Sequence, residues 1–114
     1  MVEDGRLPTA LWVDAHLRQL NSLGQGHYII HKGAYASGMV LVKVRLLSDF
    51  CRVLAQIRTL DGDLGWMNAQ SDEQVAESDA DAYIRRAVER DPDLWVIEVE
   101  DRNGQNPFEG QLIF

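Results

Sequence analysis

The chain has 114 residues, 46% hydrophobic, 25% charged and 8% aromatic, the composition of one soluble globular domain spanning 1–114 and too short for two cores. No apolar run approaches the roughly 18 residues of a membrane-spanning helix, and Met1-Val2-Glu3-Asp4-Gly5-Arg6 lacks the basic start and apolar stretch of a secretion signal, so a cytoplasmic location is expected. Net charge is -7, the single Cys51 permits neither an internal disulfide nor a thiolate metal site, and residues 58–114 are markedly acidic, which disfavours nucleic acid as a partner.

In chain order the elements read α-β-β-β-α-β. Ala10, Val13, Leu17 and Leu20 recur at helical spacing between Pro8 and Gly24, which predicts a helix over about Pro8–Leu23. Trp12 and His16, four apart, extend its buried face. His27–Lys32 reads as a strand and Gly33–Gly38 as a turn. Met39–Leu46 and Cys51–Arg58 alternate and form a hairpin. With Leu47–Phe50 as a four-residue loop, Leu46 faces Cys51, Val44 faces Val53, Val42 faces Ala55 and Val40 faces Ile57, every pair apolar.

After the Asp61-Gly62 turn, Leu64–Ala69 reads as a short strand or ordered loop. A second helix starts at Ser71 or Ser78, either able to cap it, and ends at Arg90 before Asp91-Pro92. Leu94–Asp101 is the last strong strand. Asn103-Gly104 then turns the chain, so the ordered core is expected over about 7–102, with 103–114 as a C-terminal tail. The expected architecture is α/β or α+β: a mostly antiparallel sheet covered by two helices, its last strand entering after a helical crossover.

Asp91-Pro92-Asp93-Leu94-Trp95-Val96-Ile97-Glu98-Val99-Glu100-Asp101-Arg102, preceded by Tyr83-Ile84-Arg85-Arg86, resembles the C-terminal signature of a small alphaproteobacterial family, domain of unknown function family 1491. Leu11-Trp12-Val13, Lys32-Gly33 and Gly62-x-x-Gly65-Trp66 are similar to it as well, so the resemblance runs from about Arg6 to Arg102. It implies a single-domain bacterial protein and brings no activity and no site residue with it.

The residues themselves offer two candidate surfaces. In the register above, Lys43, Arg45, Arg52 and Arg58 share the outward hairpin face, with Arg45 opposite Arg52, and like charges so opposed favour a bound anion. The competing reading is that the acidic second helix, through Asp79 or Asp81, or plain water compensates them. Trp66 and Met67, in a glycine-flanked segment, and the apolar end Leu112-Ile113-Phe114 are the second surface, suited to a protein partner or a second copy. For Leu112-Ile113-Phe114 the alternative is packing onto its own domain.

Other constellations are weaker. His27 and His31, four apart on a strand, lie about 13 Å apart and cannot share a metal. No H-E-x-x-H, G-x-S-x-G or phosphate-cradling glycine loop is present, so no metal or cofactor is expected. Glu98 and Glu100, with Asp101, Asp91 and Asp93 nearby, read as a solvated strand edge rather than a cation site. The element order matches restriction-endonuclease-like proteins, but the third strand offers Gln56-Ile57-Arg58 where such chemistry needs an acid and a lysine, and the second strand has no acid. The expected function is a non-catalytic interaction or assembly module with a protein partner or itself, a homodimer among the options. An anion-binding domain is the alternative, and an enzyme of unrecognised type the second alternative.

Overall fold

A mixed sheet with one helix on each face organises the chain. The computed structural model describes residues 7–70 and 72–113. Among them the order is α1 (Thr9–Ser22), β1 (His27–His31), β2 (Val40–Arg45), β3 (Phe50–Arg58), β4 (Leu64–Asn68), β5 (Val75–Ala76), α2 (Glu77–Arg90), β6 (Trp95–Glu100) and β7 (Gln111–Leu112). The expected α-β-β-β-α-β order is present, with β4 a true strand and the short β5 and β7 added. The sheet runs β1-β6-β2-β3-β4-β7, with β5 beside the start of β3. Pairings β2–β6 and β4–β7 are parallel and the rest antiparallel. The parallel β2–β6 pair needs a crossover, which α2 supplies.

Helix α1 keeps the predicted stripe: Val13 and Leu20 are buried and Ala10, Trp12 and Leu17 pack around them. Pro8 precedes its first turn, and Gly24, at φ 72°, ends it with the Gln25 amide bonded to the Leu20 carbonyl. Helix α2 starts at Glu77, later than Ser71, which lies outside the described residues, and one residue before Ser78, which is not its cap. The Glu77 amide donates to the Asp49 carbonyl at 2.8 Å, so the hairpin loop satisfies the helix start in place of a serine hydroxyl.

The hairpin register departs from expectation by one residue. Arg45 faces Cys51, Val44 faces Arg52, Lys43 faces Val53, Val42 faces Leu54 and Leu41 faces Ala55. The Leu46 amide bonds the Phe50 carbonyl, so the loop is the three residues Leu47-Ser48-Asp49. Because strand side chains alternate with period two, one slip moves every partner to the other face. Apolar matching misassigned the register because both faces of β2 are buried. Val40, Val42 and Val44 pack with α1, Leu54, Ile97 and Val99, whereas Leu41 packs with Ile84, Ala87 and Val96 under α2. Cys51 and Val53 lie under Ala80 of α2.

Candidate functional site

The slip redistributes the four basic residues. Lys43 and Arg45 lie on the α2 face with Cys51, and Arg52 lies on the α1 face, so the expected outward row of four does not form. Lys43, 3% exposed, extends between the sheet and the first turn of α2. Its Nζ donates to Glu77 Oε2 and Asp81 Oδ1, both at 2.8 Å, and lies 3.2 Å from Glu98 Oε1 of β6. Burial pulls the Lys43 pKa down, but hydrogen bonds to Asp81, Glu77 and Glu98 outweigh it and raise the value above its usual range. The same bond and the charge of Lys43 hold the Glu77 carboxyl below the ordinary range. Arg45 continues the network: Nε is 3.5 Å from Glu77 Oε2 and Nη1 is 3.5 Å from Glu100 Oε2. Neutralisation by α2, the competing sequence reading, therefore holds for Lys43 through Asp81, with Glu77 as a further partner.

Arg52 Nη1 donates to the Gly104 carbonyl at 2.7 Å and ties the segment after β6 to β3. Arg58, at the end of β3, donates to the Gly62 carbonyl at 3.0 Å and braces the β3–β4 turn. Cys51 is buried, and burial pushes its thiol up.

Trp66, expected as a surface anchor, is 1% exposed. The chain after β6 returns across the α1 face and inserts Phe108, itself buried, between Trp12 and Trp66, with ring centroids 5.7 and 6.3 Å away. The Trp66 indole donates to the Glu109 carbonyl at 2.8 Å. An indole on the sheet face has its N–H satisfied only because this segment folds over it. Residues 103–113 thus include a core element, which a sequence reading of a tail missed. Asn106-Pro107-Phe108 was its signal, with the Phe108 amide bonding Asn106 Oδ1 at 3.0 Å. Met67 is half-buried. Leu112 and Ile113 stay exposed on the β7 edge, and Phe114 lies outside the described residues.

An open groove of about 920 Å³ lies at the end of the sheet where β2 and β6 begin. Leu7, Pro8 and Trp12 of α1 and its approach, Met39 before β2 and Leu64 of β4 give it apolar lining. Its polar lining includes one arginine, Arg58, and four carboxylates: Asp63, Asp91, Asp93 and Glu109. Among the described residues none of these aspartates is ion-paired, and Glu109 reaches only His16, at 4.0 Å. The start of α1 offers no anion site here, since the Thr9 and Ala10 amides donate to the Ala36 and Tyr35 carbonyls and those of Leu11 and Trp12 to Pro8. The groove wall is rigidly held. Trp95 Nε1 donates to the Ala34 carbonyl at 2.8 Å, and the Ala34 amide bonds the Asp93 carbonyl at 3.0 Å. Gly33 permits this approach, since a β-carbon there would overlap the Asp93 carbonyl oxygen and stand 2.6 Å from Trp95 Cδ1.

Each histidine is tied locally. Nδ1 of His16, His27 and His31 bonds the carbonyls of Trp12, Gln25 and Leu94 respectively. Among the described residues no group of three or more His, Cys, Asp or Glu side chains is placed to hold a metal ion, and no helix is long and apolar enough to cross a membrane.

The fold recurs in solved structures. The crystal structure of a DUF1491 family protein from Caulobacter crescentus CB15 is 34% identical, with a TM-score of 0.83 over 95% of this chain and 100% of that one. An NMR structure of a DUF1491 family protein from the same organism is 33% identical, with a TM-score of 0.79 over 95% and 97%. The solution structure of a protein from A. tumefaciens is 23% identical, with a TM-score of 0.68 over 84% and 86%, and shares the fold. Among the curated proteins none matches the chain. The family model described as protein of unknown function (DUF1491) matches residues 7–109, from the approach to α1 through the Phe108 plug and its neighbour Glu109, and the chain belongs to that family.

Proposed function

We propose that the protein is a non-catalytic interaction module whose groove beside Trp12 and Met39 takes a partner-protein segment carrying lysine or arginine next to apolar side chains. One observation carries this reading: four carboxylates and one arginine, already bonded to Gly62, line a groove that also presents Leu7, Trp12 and Met39. An apolar floor supplies contact area, and Asp63, Asp91 and Asp93, which have no ion pair among the described residues, select the sign of the partner. The anion-binding alternative draws less support, because Lys43 and Arg45 already face four carboxylates, those of Glu77, Asp81, Glu98 and Glu100. The reading places the protein in the cytoplasm, where the free Cys51 stays reduced.

The test is titration with two short peptides, one alternating lysine and leucine and the other glutamate and leucine, followed by calorimetry at two salt concentrations. The basic peptide is expected to bind, more weakly at high salt, and the acidic one not to bind. Asp93→Asn with Met39→Ala should weaken binding at least tenfold, while Asp79→Asn with Glu89→Gln, on α2 outside the groove, should leave it unchanged. Absence of binding, or equal loss in both variant pairs, overturns the reading.

A further inference from the structure

The groove is also a gap in the sheet. We propose that the basic and apolar partner segment binds there as an extended strand, in the lane that β2 leaves empty ahead of Val40, and pairs with the backbone of Arg58; this rests on the reading of the groove as a docking site. Strand β3 runs on to Arg58, whereas β2 begins at Val40 and their last pair is Leu41 with Ala55. Continuing that register would set Gly38 opposite Arg58, but the chain has left the sheet at that point. Gly38 takes φ 130°, a β-carbon on it would overlap the Asp93 carbonyl oxygen, and its own carbonyl accepts from the Thr9 hydroxyl at 3.3 Å. Gly38, Met39, Gln56 and Arg58 all line the groove, so the groove occupies the vacated lane.

Both neighbours of β3 give the same backbone parity. In an antiparallel ladder successive residues aim their N–H and C=O groups to alternate sides. The Ala69 amide donates to the Val53 carbonyl at 2.8 Å, in the register that pairs Ala55 with Met67 and Ile57 with Gly65, so Val53, Ala55 and Ile57 turn theirs to β4. The Leu46 amide donates to the Phe50 carbonyl at 3.1 Å, in the register that pairs Val44 with Arg52 and Val42 with Leu54, so Arg52, Leu54 and Gln56 turn theirs to β2. Arg58, two residues past Gln56, therefore aims its N–H and C=O into the lane. Among the described residues nothing bonds them, and Arg58 is exposed.

Elsewhere the groove wall has spent its backbone groups. The Met39 carbonyl accepts the Trp95 amide, the Asp91 carbonyl accepts the Leu94 amide and the Asp93 carbonyl accepts the Ala34 amide. The Arg58 guanidinium is held by the Gly62 carbonyl. A helical segment, its own backbone already bonded, would leave the Arg58 pair unused, whereas an extended one exchanges two hydrogen bonds with it, as peptides do when they add a strand to a sheet. The carboxylates of Asp63, Asp91 and Asp93 beside Trp12 and Met39 keep the occupant basic and apolar.

The experiment titrates the full chain with the alternating lysine and leucine peptide in three forms: unmodified, N-methylated at every leucine, and N-methylated at every lysine. In a strand, residues of one parity aim their N–H groups at β3 and those of the other aim away. One methylated form is therefore expected to bind at least tenfold more weakly than the unmodified peptide, and the other within about threefold of it. Hydrogen exchange of the Arg58 amide, followed by NMR with the unmodified peptide, should slow at least tenfold in the complex, a readout that methylation does not touch. Equal affinities of the two methylated forms, or an Arg58 amide unprotected in the complex, overturn the extended mode while leaving the docking reading in place. Failure of the unmodified peptide to bind overturns both.

Discussion

Lys43 Nζ lies 2.8 Å from Asp81 Oδ1, joining the middle of the sheet to α2. Glu77 and Glu98 complete the shell, so the ammonium sits where three carboxylates would otherwise repel one another. Replacing it with the isosteric but neutral Met leaves those carboxylates without their counter-charge. Breaking a buried pair costs about 3–5 kcal/mol, and partial exposure of Glu77 and Asp81 reduces that here to about 2 kcal/mol. Urea unfolding of Lys43→Met should show this loss as a lower denaturation midpoint than that of the wild type.

The same network sets an acid limit on stability. The Glu77 carboxyl is held below its usual range by the Lys43 hydrogen bond and charge. A depressed folded-state value gives stability that is present above the unfolded value of about 4.3 and lost as pH falls through the folded one. Lys43 is raised, so its contribution is complete below about 10.4 and disappears only at stronger alkalinity. Melting temperature against pH should fall on acidification below about 4.3 in the wild type. In Lys43→Met the fall should be shallower or reversed, because protonation then relieves repulsion, and identical acid limbs would refute the assignment.

Gly33→Ala should destabilise the protein by about 3 kcal/mol, since the new methyl meets the Asp93 carbonyl and the Trp95 ring rather than a flexible side chain. Thermal melts measure this. Gly62→Ala has open space around the new methyl and serves as a comparison in which only the positive φ of 86° is penalised.

Phe108→Ala should cost about 3–4 kcal/mol by opening a cavity between Trp12 and Trp66. Releasing the returning segment also removes the Glu109 acceptor from the Trp66 indole, so tryptophan emission should shift to longer wavelength in the folded variant. An unshifted spectrum with full stability would mean that the segment does not plug the α1 face.

The sequence by itself determined what each segment becomes. The Ala10, Val13, Leu17 and Leu20 spacing produces α1, the valine alternation produces β2, and Trp95, Ile97 and Val99 place the inner face of β6. Periodicity is a local property, readable from neighbours a few residues apart. Which residues meet across the fold was decided by tertiary structure. With α1 on one face and α2 on the other, both sides of β2 are apolar, so pairing by hydrophobicity does not distinguish two registers one residue apart. The choice falls to the three-residue loop Leu47-Ser48-Asp49, whose Asp49 carbonyl receives the Glu77 amide and fixes the start of α2 over Lys43. The groove lies further still from view, since Trp12, Met39, Arg58, Asp93 and Glu109 come from five separate segments that only the completed sheet brings together.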